Sequence, residues 1–141
     1  MQDLKSVGVR CAALKVLRAG RVLTRAYDEA LRPTGLTITQ YTLLNAIGHY
    51  EPDSIVTLGQ LLDIERTTLS RNLALLEKAG LVHLGEQGSD RKRELLLTTR
   101  GVKKLEEAYP LWDSVQTRVE ALFDEREFLE LGDLLRRVKN V

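Results

Sequence analysis

Apolar residues recur along most of this chain at three- and four-residue steps, the spacing of one stripe on a helix. Across residues 7–32 the stripe is Ala13, Val16, Gly20, Leu23, Tyr27 and Ala30, widened by Leu14, Leu17 and Leu31. It predicts one long helix with more apolar surface than a single neighbour covers. Pro33-Thr34-Gly35 ends it, because proline disfavours helical backbone in the residue before it and glycine permits a sharp turn. Thr37 with Gln40 forms a capping box for a helix reaching Gly48, with Tyr41, Leu44 and Ile47 facing inward. Glu51-Pro52-Asp53-Ser54 reads as a loop and Ile55-Val56 as a very short strand. Thr57 with Gln60 repeats the capping signature and predicts a short helix to Leu62. Asp63-Ile64-Glu65 is then a turn. The next helix spans residues 66–79 and stops at Gly80, a good C-terminal cap.

The period then changes. Residues 82–86 and 93–97 are strand-like, and Gln87-Gly88-Ser89-Asp90-Arg91 between them carries turn chemistry. Thr98 or Thr99 caps a helix over residues 100–122. Pro110 inside it predicts a kink or a junction between two segments. Asp124 with Glu127 is a further capping box, opening a last helix with Phe128, Leu131, Leu134, Leu135 and Val138 on its apolar side. The fold class is therefore mainly α with a small β ribbon. Residues 37–101 form a winged helix-turn-helix. Residues 1–36 and 102–141 are amphipathic helices outside that core, expected to form a dimerisation region by packing on a second copy.

Composition and charge narrow the chemistry. The 141 residues, 43% hydrophobic, suffice for a core. No apolar run approaches a membrane span, and the N-terminal residues lack a signal-peptide core, so a cytoplasmic protein is expected. Cys11 alone allows no internal disulfide, and two histidines, His49 and His83, with one cysteine make a poor zinc set. No metal or cofactor site is expected. Paired carboxylates on a cleft, a nucleophile with its base, or a phosphate-binding glycine loop are not visible, which argues against an enzyme. The net charge of +1 hides an uneven distribution. Residues 66–104 hold nine basic and four acidic side chains, whereas residues 105–130 hold eight acids and two arginines. A basic middle is what contact with phosphates requires.

On the helix 66–79, Leu69, Leu73 and Leu76 share one face. Thr67, Arg71, Ala74 and Lys78 point the opposite way, flanked by Thr68 and Ser70. Short hydroxyls permit close approach to a major groove, and arginine can bind guanine through two bonds. The candidate reading set is Arg66, Thr67, Thr68, Ser70, Arg71 and Asn72, with Asn72 nearest the buried side. The ribbon tip, Asp90, Arg91, Lys92 and Arg93, is basic enough for a minor groove. Asp90 is more suited to orienting an arginine than to touching DNA.

These pieces together resemble the MarR family of bacterial transcriptional regulators. The resemblance rests on the threonine- and serine-rich helix, Leu76, Gly80-Leu81-Val82, Asp90-Arg91, Leu97-Thr98 and Gly101, and on residues 25–33 and 36–44. The interval from Asp90 to Leu97-Thr98 is one residue short of the family pattern, so either Arg91 or Arg93 is the minor-groove candidate. The resemblance implies a homodimer that binds a pseudo-palindromic site in double-stranded DNA, usually as a repressor. It also implies release by a phenolic ligand or by cysteine oxidation. Cys11 is the candidate redox sensor, with Arg10 and a helix dipole beside it to favour a thiolate; a small buried thiol is the plainer reading. Some family members sense peroxide through a cysteine about two residues later. A small aromatic ligand would instead use a cleft lined by Tyr27, Tyr41, Tyr109 and Trp112, with Arg21 or Arg25 for a carboxylate, although the same aromatics suit a core or an interface. His49 and His83 have no acidic partners in the sequence and are read as bystanders. The alternative to DNA reading is a winged-helix protein-interaction module, against which the basic middle weighs.

Overall fold

The computed structural model describes residues 3–86 and 94–141. In chain order it contains α1 (Leu4–Arg10), α2 (Ala12–Leu31), a 3-10 turn (Arg32–Thr34), α3 (Ile38–Tyr50), α4 (Ile55–Leu62), α5 (Arg66–Lys78), β1 (Val82–Leu84), β2 (Leu95–Leu97), α6 (Thr99–Glu120) and α7 (Glu125–Val138). Helices α3, α4 and α5 with the two strands make the winged helix-turn-helix. Helices α1, α2, α6 and α7 make the flanking helical arms, and α2 packs chiefly along α6.

Polar side chains set most of the corners. The Thr37–Gln40 capping box is formed in both directions. Asp28, ten residues earlier, also accepts the Ile38 N–H at 2.7 Å, so a carboxylate sits at the positive end of α3. Thr34 is buried and donates to the Leu31 carbonyl at 2.6 Å while accepting from the Leu36 N–H. These bonds fix the turn that Pro33 and Gly35 begin and end. The Asp124–Glu127 box opens α7 as expected, and Thr98 caps α6.

Three expectations need correction. The first helix is not continuous: Cys11 has extended backbone (ψ 109°), closing α1 and opening α2. Its Sγ accepts the Leu14 N–H at 3.4 Å, taking the place of an N-cap oxygen. An unbroken apolar stripe cannot reveal such a break. Ile55-Val56 is not a strand but the first turn of α4, because Ser54 caps that helix by accepting the Thr57 N–H at 3.1 Å. Thr57 instead donates to Asp53 at 2.7 Å. Of the two readings of Pro110, the junction is the one overturned, since α6 runs through it as one element. The strands are also shorter than expected, paired antiparallel with Val82 opposite Leu97 and Leu84 opposite Leu95.

One core unites these elements. Leu43, Leu44, Leu58, Leu69, Leu73 and Leu76 are buried, joined by Val82 and Leu95 from the ribbon. Leu31 and Leu36 enter the same cluster from the N-terminal side and Ala108 from α6, so apolar packing is continuous across positions 36 and 101. Helices α1 and α7 bury no residue at all.

Candidate nucleic-acid interface

Burial of Leu69, Leu73 and Leu76 pins one side of α5 into the core, as their spacing predicts. The other side is then forced outward. Arg66, Thr67, Ser70, Arg71, Ala74 and Lys78 are exposed, and Thr68 is half-buried beside them. The face therefore offers hydroxyls and guanidinium groups over its first two turns. Glu65 precedes the helix without forming a side-chain cap to the first-turn N–H groups. Asn72 is half-buried and donates to the Thr68 carbonyl at 2.9 Å, within its own helix. It lies at the edge of the exposed face.

The turn before α5 is held from two directions. Asp63 adopts left-handed backbone (φ 52°), and the Ile64 N–H bonds to the Gly59 carbonyl at 3.1 Å. The Asp63 carboxylate also pairs with Lys139, at the end of α7, at 2.8 Å. At the other end of α5, the Glu77 carboxylate accepts the Leu84 N–H at 3.1 Å and ties the helix to β1. Neither contact has a local sequence signature, since each depends on chain segments brought together by the fold. Arg100 and Lys103, at the start of α6, are exposed and extend the basic surface beside Gly80. The expected wing residues Asp90, Arg91, Lys92 and Arg93 lie outside the described residues.

The candidate signal residues have separate partners. Tyr41 stacks near Trp112 (centroids 6.1 Å apart), and Trp112 lies 5.7 Å from Tyr109. Tyr27 makes its bond elsewhere, donating to Gln116 Oε1 at 2.5 Å, and Gln116 in turn donates to Glu120 at 2.8 Å. Burial, then the Glu120 carboxylate, raises the Tyr27 phenol above its ordinary value. Burial, then Tyr109 and Asp113, does the same at Tyr41. Arg21 and Arg25 line a different space, a cavity of about 760 Å³ between α2 and the α6–α7 corner, bordered by Val22, Leu23, Val119, Leu122, Phe123 and Leu131. None of the four aromatics borders it. On α2, Arg21 and Arg25 thus border one space while Tyr27 bonds to α6. His49 packs edge-on against Tyr50, and His83 is exposed on β1.

The profile of the MarR family matches residues 34–93, which run from the turn before α3 through the expected wing. The M. tuberculosis transcriptional regulator MosR has a crystal structure that is 35% identical, with a TM-score of 0.82, covering 94% of this chain and 98% of that one. This chain belongs to the MarR family of transcriptional regulators. A second MosR structure, in complex with DNA, is 36% identical over 93% of this chain and 98% of that one, with a TM-score of 0.80. A mutant MarR from E. coli complexed with operator DNA shares the fold (TM-score 0.83) at 22% identity, covering 97% and 99% of the two chains. The uncharacterized HTH-type transcriptional regulator YwoH of Bacillus subtilis is 29% identical over 90 residues, 64% of this chain and 65% of that protein. Membership of the family makes the chain a DNA-binding regulator rather than an enzyme. No described helix is long and apolar enough to cross a membrane.

Proposed function

We propose that this MarR-family regulator acts as a homodimeric repressor, with residues 37–101 as its DNA-binding part and residues 1–36 and 102–141 as its dimerisation part. Two α5 helices enter successive major grooves of a pseudo-palindromic site, about one helical turn apart. Arg71 reads a base, Thr67, Thr68 and Ser70 bond bases or phosphates, Arg66 contacts backbone, and Asn72 borders the set. The wing residues Asp90, Arg91, Lys92 and Arg93 act at the minor groove, with Arg91 or Arg93 as the arginine that contacts it.

The observation that carries this reading is the exposed hydroxyl-and-arginine face of α5, opposite three leucines locked in the core. The apolar side chains left uncovered on α2 and α7, such as Val22 at 59% exposure and Leu129 at 65%, support a second copy. The MosR structure in complex with DNA supports the DNA partner.

Release follows a signal, either a small aromatic ligand or oxidation at Cys11, the half-buried free thiol at the α1–α2 break. The test is a mobility-shift assay on DNA upstream of the protein's own gene, with and without peroxide and simple phenolic acids. Salt-sensitive, sequence-selective binding is the expected result, and binding indifferent to DNA sequence would contradict it. Peroxide release that survives Cys11→Ser would remove Cys11 as the sensor.

A further inference from the structure

Helix α5 ends in a Schellman motif. The Gly80 N–H bonds to the Glu77 carbonyl at 2.9 Å and the Leu81 N–H to the Leu76 carbonyl at 3.0 Å, with Gly80 at φ 76°. The next two carbonyls are both taken by one residue of the following helix. Thr98 Oγ1 donates to the Gly80 carbonyl at 2.6 Å, and the Thr98 N–H donates to the Leu81 carbonyl at 3.1 Å. The same hydroxyl oxygen accepts the Gly101 N–H at 2.9 Å, which caps α6. Gly101 is buried, and a Cβ added there would collide with the Leu81 carbonyl oxygen. The first turn of α6 therefore lies directly on the peptide that leaves the recognition helix.

A cap alone does not require this arrangement. Capping uses only the oxygen as an acceptor, so an aspartate would serve as well. Donation to Gly80 needs a hydroxyl proton, which an ionised carboxylate lacks. We infer that Thr98, with Gly101, is a positioning pair that fixes the end of the recognition helix to the first turn of α6 and so sets the angle at which α5 meets DNA. The pair touches no base, and its role rests on the proposed DNA reading.

The test uses the full chain as wild type, Thr98→Ser, Thr98→Asp and, as a control, Val115→Ala, a buried site farther along α6. Each binds a duplex selected from a random pool by the wild type, and its scrambled counterpart. Thr98→Ser keeps the selected-to-scrambled ratio within about twofold of wild type. Thr98→Asp retains the capped helix but loses about fivefold or more of that ratio, the scale of one lost hydrogen bond. Taking the ratio cancels the general repulsion of its added charge by phosphate. Val115→Ala lowers Tm and leaves the ratio unchanged. An unchanged ratio in Thr98→Asp, or an equal loss in Thr98→Ser, overturns the inference. If the wild type selects no sequence, it is the DNA reading that fails. The positioning claim is then decided by NMR amide shifts of Thr67 to Asn72, which move in Thr98→Asp if it holds and stay fixed if it does not.

Discussion

The winged helix and the helical arms are built from similar side chains and end in opposite conditions. Around α5, Leu69, Leu73 and Leu76 close on the core, and the face opposite them is mostly polar, with Leu75 half exposed at its flank. In the arms Leu31 and Val115 are buried, but many other leucines and valines stay open: α1 and α7 bury nothing, and Leu135 keeps 48% of its surface exposed. Amphipathic periodicity says only that a face wants covering. The difference shows which face finds its cover within one chain and which needs another. On the proposed reading it also separates tasks: the closed half holds a reading surface and the open half sets the spacing between two such surfaces. Charge reinforces the division, with a basic middle followed by an acidic C-terminal part.

The comparison breaks most visibly in the arms. Leu135→Glu places a charge on a side chain that an isolated chain leaves half exposed, so a monomer would tolerate it. Covered by a second copy, the same charge is unpaired and buried, and the dimer is lost. Light scattering is expected to show half the wild-type mass with helical content retained. Unchanged mass would mean that this face is not the interface. In the closed half, Leu73→Ala is expected to cost ~2–5 kcal/mol in denaturant unfolding at fixed protein concentration, because it empties a fully packed site. A cost under ~1 kcal/mol would mean that the α5 core is looser than its burial indicates.

Smaller effects sit where the halves meet. Tyr27→Phe removes the bond to Gln116 and is expected to cost ~1 kcal/mol at neutral pH. The raised phenols of Tyr27 and Tyr41 also set an alkaline limit. Past the ordinary value of 10.0 the unfolded chain gives up these protons first, while the folded chain keeps them. Their contribution is complete below that pH and is lost as pH rises through the folded values. Thermal melts from pH 9 to 11 check this, and each Tyr→Phe substitution should flatten the decline.

Much of this was legible in the sequence because it is local. Capping boxes at Thr37 and Asp124, the stop at Gly80 and the leucine face of α5 each depend on residues a turn apart. The break at Cys11 was hidden because the apolar stripe continues through it and a thiol rarely serves as a helix cap. Ser54 was overlooked because Thr57 and Gln60 offered a competing signature three residues later. The contacts of Asp28 with Ile38, Glu77 with Leu84, and Asp63 with Lys139 link positions that no helical or strand period connects. The stacking of Tyr41 and Tyr109 about Trp112 was not legible either, because helix rotation decides which neighbours each ring meets. Thr98 was visible as a cap, whereas its donation to Gly80 depends on how α6 docks.

The central claim is that the outward face of α5 reads DNA sequence, and one titration tests it most directly. Wild type and Arg71→Ala are bound to a selected duplex and its scrambled form across a salt series. For the wild type, log affinity should fall linearly with log salt, as phosphate contacts release counterions. Arg71→Ala should lose ~1–3 kcal/mol of preference for the selected duplex, with scrambled binding little changed. Equal selected-to-scrambled ratios in the two proteins would contradict the account.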